Sequence, residues 1–112
     1  MPSFLECPFL GGLVEFNDER REHIESVHPR EARDVFDELA SVVCDPDVVF
    51  ETPRQGEHAL ARAQENHASH FVVAIVVTED VRSSERVHAR HWVVTAYISR
   101  RLPRWRILWR RS

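Results

Sequence analysis

Apolar positions along this chain repeat with two different periods, and the change falls near residue 46. Before it, "NDERREHIESV" reads as a short helix capped by Asn17 or Asp18, with Glu19 in the first turn where the helix dipole favours an acid. That helix is expected to run to about Val27, because His28 precedes Pro29 and a residue in that position avoids helical geometry. Pro29 suits the first position of a second helix, where its missing amide costs nothing. There Ala32, Val35, Phe36, Leu39, Val42 and Val43 stand three and four apart and form one apolar face. Asp45 before Pro46 ends it.

Beyond the proline, strands take over. "GGLVEFN", ahead of the helices, already reads as a short strand after a glycine turn. "VVFET" (48–52) is a strand stopped by Pro53, and "HALARAQ" (58–64) alternates weakly, fitting a strand better than a helical turn. "FVVAIVVT" (71–78) is apolar on both faces and belongs at the centre of a sheet. "EDVRSSER" reads as a polar loop, and 87–102 as a long alternating strand. On that strand Trp92, Val94, Ala96, Ile98 and Leu102 would share a core face. His91, Val93, Thr95, Tyr97, Ser99 and Arg101 would share the other. The expected fold is α+β: two N-terminal helices packed on an antiparallel sheet of about four strands, one domain over 1–112 with an Arg/Trp-rich tail at 103–112.

Composition adds an asymmetry. All fifteen basic residues are arginine, and the net charge of -3 conceals two unlike halves. Residues 1–80 hold 17 acids against six arginines, whereas residues 81–112 hold nine arginines and one acid, Glu85. An anionic partner is one reading, and neutralisation of one half by the other is the second. No apolar run approaches a membrane span, the N-terminal stretch lacks a basic leader, and two cysteines make no disulfide framework, so a cytoplasmic protein is expected. In the tail, the arginines and Trp105 and Trp109 would either bind and stack on RNA, dock back on the sheet, or meet a protein partner.

The seven histidines do not make a metal site by spacing. His23 and His28 are five apart, and His67/His70 and His88/His91 are three apart, which on a strand sends each pair to opposite faces. With three glycines there is no phosphate-cradling loop. No cofactor is called for. Acid–base chemistry remains: RNA carries its own nucleophile, and a protein needs only a base, an acid and donors for the phosphorane charge.

The order of "EFNDERREHIESVHPREARD", "DPDVVFETPR", "FVVAIVV" and "WVVTAYISRRL" resembles the phage-associated branch of the barnase–EndoU–colicin–RelE-like (BECR) nucleases, over roughly residues 15–102. The resemblance implies a metal-independent endoribonuclease, toxin-like or phage-associated, that leaves a 2',3'-cyclic phosphate. Matched by position, the catalytic candidates are His23, His28, Thr95 and Tyr97, and the substrate-binding candidates are Arg54, His91, Arg100 and Arg101. His28 or His23 would be the base, with the other or His91 as the acid. RNA is the expected partner, with an inhibitor or antitoxin protein as a second and no membrane. The alternative is a non-catalytic relative that binds RNA or a protein. Either way, the break at His28-Pro29 is expected to bring an imidazole against Thr95 and Tyr97.

Overall fold

The computed structural model describes residues 3–65 and 67–112, without the side chains at 67 and 68. In chain order the elements are β1 (Ser3–Cys7), β2 (Gly12–Phe16), α1 (Asp18–Val27), α2 (Ala32–Cys44), β3 (Val48–Glu51), β4 (Glu57–Gln64), β5 (His67–Ser83), β6 (Arg86–Ser99) and β7 (Arg106–Arg110). All seven strands join one sheet in the order β1-β2-β6-β5-β4-β3-β7. Every pairing is antiparallel except β2 with β6, which is parallel and short, matching Val14 to His91 and Glu15 to Trp92.

The expected four-stranded antiparallel sheet is therefore overturned: the sheet is mixed and has seven strands. Three causes account for the difference. "SFLEC", only five residues long, forms β1 by pairing with β2 across the Pro8–Gly11 turn. The tail supplies β7, which pairs with β3. "EDVRSSER" is not a loop, because β5 and β6 keep their ladder out to Ser83 and Arg86 and turn through Ser84 at a positive φ of 41°. Polar residues on both faces of that arm hide it from a periodicity reading, since main-chain hydrogen bonds alone carry it. β5 itself lies mid-sheet, and Val72, Val73, Ala74 and Val76 are fully buried.

The helices begin and end largely where their chemistry dictates. Asn17 caps α1 by accepting from the Arg20 amide at 2.9 Å. α2 starts at Ala32 rather than at Pro29, because Pro29–Glu31 forms a turn whose closing amides donate to the His28 carbonyl. Both helices cover one face of the sheet, where Ile24, Val35, Leu39, Val42 and Val43 pack with Val49, Leu60, Val72, Ala74 and Val76. A second core, with Val48, Phe50, Ala59, Ala61, Val73 and Ile75, lies on the other face. The 100–105 segment carries the chain from β6 past β5, β4 and β3 to β7, and lays Leu102 and Trp105 on this second core.

The "DPD" turn fastens that arrangement. Asp47 accepts from the Ala63 amide and from Arg111 Nε, while Asp45 binds both Arg62 and Arg111. The Arg111 guanidinium holds the Asp45 carboxyl below its ordinary pKa. These contacts anchor β7 to β3, so the tail docks on the sheet.

Candidate functional site

His28 is fixed at both ends of its backbone. Its amide donates to the Ile24 carbonyl at 2.8 Å and closes α1; its carbonyl accepts from the Glu31 amide at 3.1 Å and the Ala32 amide at 2.9 Å, opening the way into α2. Standing four residues after buried Ile24, it shares the core-facing side of α1 and is half-buried. β2 covers β6 only at His91 and Trp92, and α1 packs against β6. There the His28 ring meets the Tyr97 ring, with centroids 6.4 Å apart and planes inclined at 36°.

Tyr97 packs at the margin of the second core and is half-buried. Burial pushes its phenol above the ordinary value, so the hydroxyl keeps its proton and can act as a donor. Among the described residues, neither the His28 ring nor the Tyr97 hydroxyl has a hydrogen-bond partner. Thr95 stands two residues earlier on the same side of β6 and is also half-buried. The fold brings the His28 imidazole against the Tyr97 phenol at this end of β6, with Thr95 on the same side of the strand two residues away.

His91 departs from the expectation. Thr95 pairs with Ile75 but Val93 with Val76, so Val94 is an extra residue and β6 carries a bulge there. The bulge reverses the alternation. Val93 packs in the helix-side core, whereas Val94 and Tyr97 pack on the other face. His91 therefore lies on the helix side, 7% exposed, where Nδ1 and Thr78 Oγ1 are 2.7 Å apart and a Cβ built on Gly12 would stand 3.9 Å from its ring. Burial, with the neighbouring His58 ring, lowers its pKa. It is a satisfied core imidazole, and the long strand has no continuous polar face.

The remaining candidates divide. His23 is exposed on α1, and among the described residues its ring makes no hydrogen bond or ring contact with His28 or Tyr97. Arg54 belongs to the turn before β4, where its amide donates to Thr52 Oγ1. That end of the sheet carries the Glu57–Val77 and Val77–Trp92 pairs, several residues away from the Val73–Tyr97 pair. Arg100 and Arg101 are exposed just past the end of β6, at the His28–Tyr97 end. Arg100 Nε donates to His70 Nε2 at 3.4 Å, and Ser99 Oγ holds the Arg101 backbone in a tight turn.

His70 is the residue that sequence reasoning missed. It precedes Phe71, which pairs with Ser99, and is hydrogen-bonded to Ser69 Oγ as well as to Arg100. Its signal was the "HASH" doublet, which periodicity treats as a failed metal pair; the His67 side chain lies outside the described residues. Among the described residues no group of three or more His, Cys, Asp and Glu could hold a metal ion. No helix there is long and apolar enough to cross a membrane. A cavity of about 360 Å³, lined by Pro8, Phe9, Cys44, Asp45, Pro46 and Trp109, sits at the C-terminal end of α2, away from His28. No family model, curated protein or solved structure matches the chain.

Proposed function

We propose that this protein is a metal-independent endoribonuclease whose reaction is centred on His28 and Tyr97. The observation that carries the reading is a half-buried imidazole whose ring centroid lies 6.4 Å from that of a half-buried, protonated phenol, both side chains without hydrogen-bond partners among the described residues. Their polar atoms reach solvent and no protein group engages them among the described residues, so the pair is open to a substrate. The motif order that resembles the BECR nucleases, which first singled out these two residues, is a second support.

In this reading His28 takes the proton of a ribose 2'-hydroxyl as the oxygen attacks the adjacent phosphorus. The bond from phosphorus to the 5'-oxygen breaks, and that oxygen receives the Tyr97 proton. The products are a 2',3'-cyclic phosphate and a 5'-hydroxyl, and proton return from His28 to the phenolate through water resets the pair. Thr95 and Arg101 donate to the non-bridging oxygens, where charge accumulates. Arg100 stands beside His70 at the rim of the same end. A nuclease of this kind, toxin-like or phage-associated and acting in the cytoplasm, calls for an inhibitor protein as its second partner.

Short single-stranded RNA incubated with purified protein and excess chelator should yield cyclic phosphate ends, while DNA of the same sequence stays intact. His28→Ala should slow cleavage by about 10²–10⁴-fold, the usual loss for one general acid or base. RNA left whole, or cut equally by the variant, overturns the reading.

A further inference from the structure

β7 ends the sheet, with one edge on β3 and the other without a strand among the described residues. An open edge is a row of unpaired amides and carbonyls ready to accept another strand. The side chains on this one are unusually apolar: Ile107, Leu108 and Trp109 are 44%, 39% and 41% exposed. Trp109 pairs with Val49 and so faces the helix side, Ile107 pairs with Phe50 and faces the other, and Leu108 occupies the bulge between them. On the helix side, Trp109 forms a wall of the 360 Å³ cavity shared with Pro8, Phe9 and Pro46. An apolar side chain lying next to β7 on that face has a hollow to fill.

Charge decides what kind of strand fits. No acidic residue follows Glu85, and β7 is bracketed by arginines. Arg106 pairs with Glu51 at 3.6 Å and Arg111 with Asp45 and Asp47, which leaves Arg104 and Arg110 without an acidic partner among the described residues. A second copy of the chain fits badly, because antiparallel pairing centred on Leu108 would set Arg106 opposite Arg110, and like charges directly opposite destabilise a pair. RNA could meet the arginines, but it offers no main-chain ladder and nothing aliphatic for Ile107 and Leu108.

We infer that the outer edge of β7 is a docking site for an extended acidic segment of a partner protein, added as an eighth strand with an apolar side chain seated beside Trp109. Main-chain hydrogen bonds supply affinity in such strand addition, and alternate side-chain pockets supply specificity. The inference stands on the edge, the cavity and the charge, independently of the nuclease reading.

The probe is an acetylated, amidated peptide, Glu-Val-Glu-Phe-Glu-Val-Glu, titrated into the whole chain while amide exchange is followed. Binding should slow exchange across Ile107–Trp109 and weaken steeply in high salt. N-methylation of alternate peptide residues should weaken it by about tenfold or more, since it removes the ladder and leaves the charge. Arg110→Glu, at an exposed side chain without an acidic partner among the described residues, should weaken binding without changing thermal stability. The inference fails if the peptide leaves β7 exchange unchanged, if the N-methylated peptide binds equally, or if sedimentation finds β7 already occupied by a second copy. It fails too if an RNA oligomer, and not the peptide, protects those amides.

Discussion

The two stretches of β6 on either side of the Val94 bulge each meet an imidazole, His91 within the strand itself and His28 from the end of α1, and the two live under opposite rules. At one, His91 is buried on the helix side, paired through Nδ1 with Thr78 Oγ1 at 2.7 Å, with its pKa lowered by burial. Towards the other, Tyr97 meets a half-buried His28 whose ring has an aromatic contact but no hydrogen bond among the described residues. The neighbouring His58 resembles the first kind in place but not in satisfaction: its Nδ1 is buried without a partner among the described residues, and Phe9 packs edge-on against the ring. A satisfied imidazole holds strands together. An unsatisfied one at an accessible margin has binding capacity to spare.

The largest test of that contrast exchanges the two losses. His91→Ala should leave the Thr78 hydroxyl unpaired and open a hole beneath Gly12, costing about 1–3 kcal/mol of stability. Its RNA cleavage rate, measured where the variant is still fully folded, should stay within about threefold of the parent, far from the loss expected at an acid–base residue. Denaturant unfolding and single-turnover cleavage on the same preparations check both halves. A His91 variant as dead as His28→Ala breaks the comparison.

Proton linkage gives a smaller effect with a defined sign. The folded state holds the His91 proton less tightly than the unfolded chain does, because burial and the adjacent His58 ring disfavour the charged form. The unfolded state therefore binds more protons, and stability falls as pH drops through the ordinary histidine range, near 6.5, and below. Asp45 acts in a lower window: Arg111 depresses its pKa, so its stabilisation is present above the ordinary carboxylate range and lost as pH falls below it. Urea midpoints measured between about pH 7 and 5 should decline for the parent and decline less for His91→Ala. Equal slopes would mean that His91 is not the buried titrating group.

Much of this was legible before any coordinates. The apolar face of α2, a cap at Asn17 or Asp18 and the central place of "FVVAIVVT" follow from periodicity and capping chemistry, while the approach of His28 to Tyr97 was an expectation of the family resemblance joined to the break at Pro29. What escaped depends on pairing between distant segments. The bulge at Val94 exists because β5 and β6 slip by one residue at Ile75/Val76, and neither strand announces it alone. That single residue moves His91 from the presumed site into the core. Likewise, "RILWR" becomes a strand only because Arg111 reaches the Asp45–Asp47 turn more than 60 positions earlier in the chain. Gly56 was equally silent: at a φ of +73° its carbonyl accepts from the Thr78 amide, and a Cβ there would meet the Thr78 oxygen at 2.9 Å. A lone glycine in "PRQGEH" says only that a turn is near.

The smallest predicted effect is also the sharpest for the site. Tyr97→Phe removes one oxygen and leaves the ring packed on Phe50, Val73 and their neighbours in the second core. Deleting a hydroxyl that bonds to another group normally costs about 1 kcal/mol, because the partner is left stranded. The Tyr97 hydroxyl has no partner among the described residues, and its burial already carries a desolvation cost that raises the phenol pKa. Phenylalanine should therefore leave stability within about 0.5 kcal/mol of the parent, or raise it slightly, as for surface-like substitutions without a lost contact. Cleavage of RNA should fall nonetheless, since the proton for the leaving oxygen is gone. That pairing of outcomes separates a phenol kept for chemistry from one kept for packing: a Phe variant destabilised by more than about 1 kcal/mol has lost a structural hydrogen bond. In that case the His28–Tyr97 contact belongs with His91–Thr78 as a second strut of the sheet.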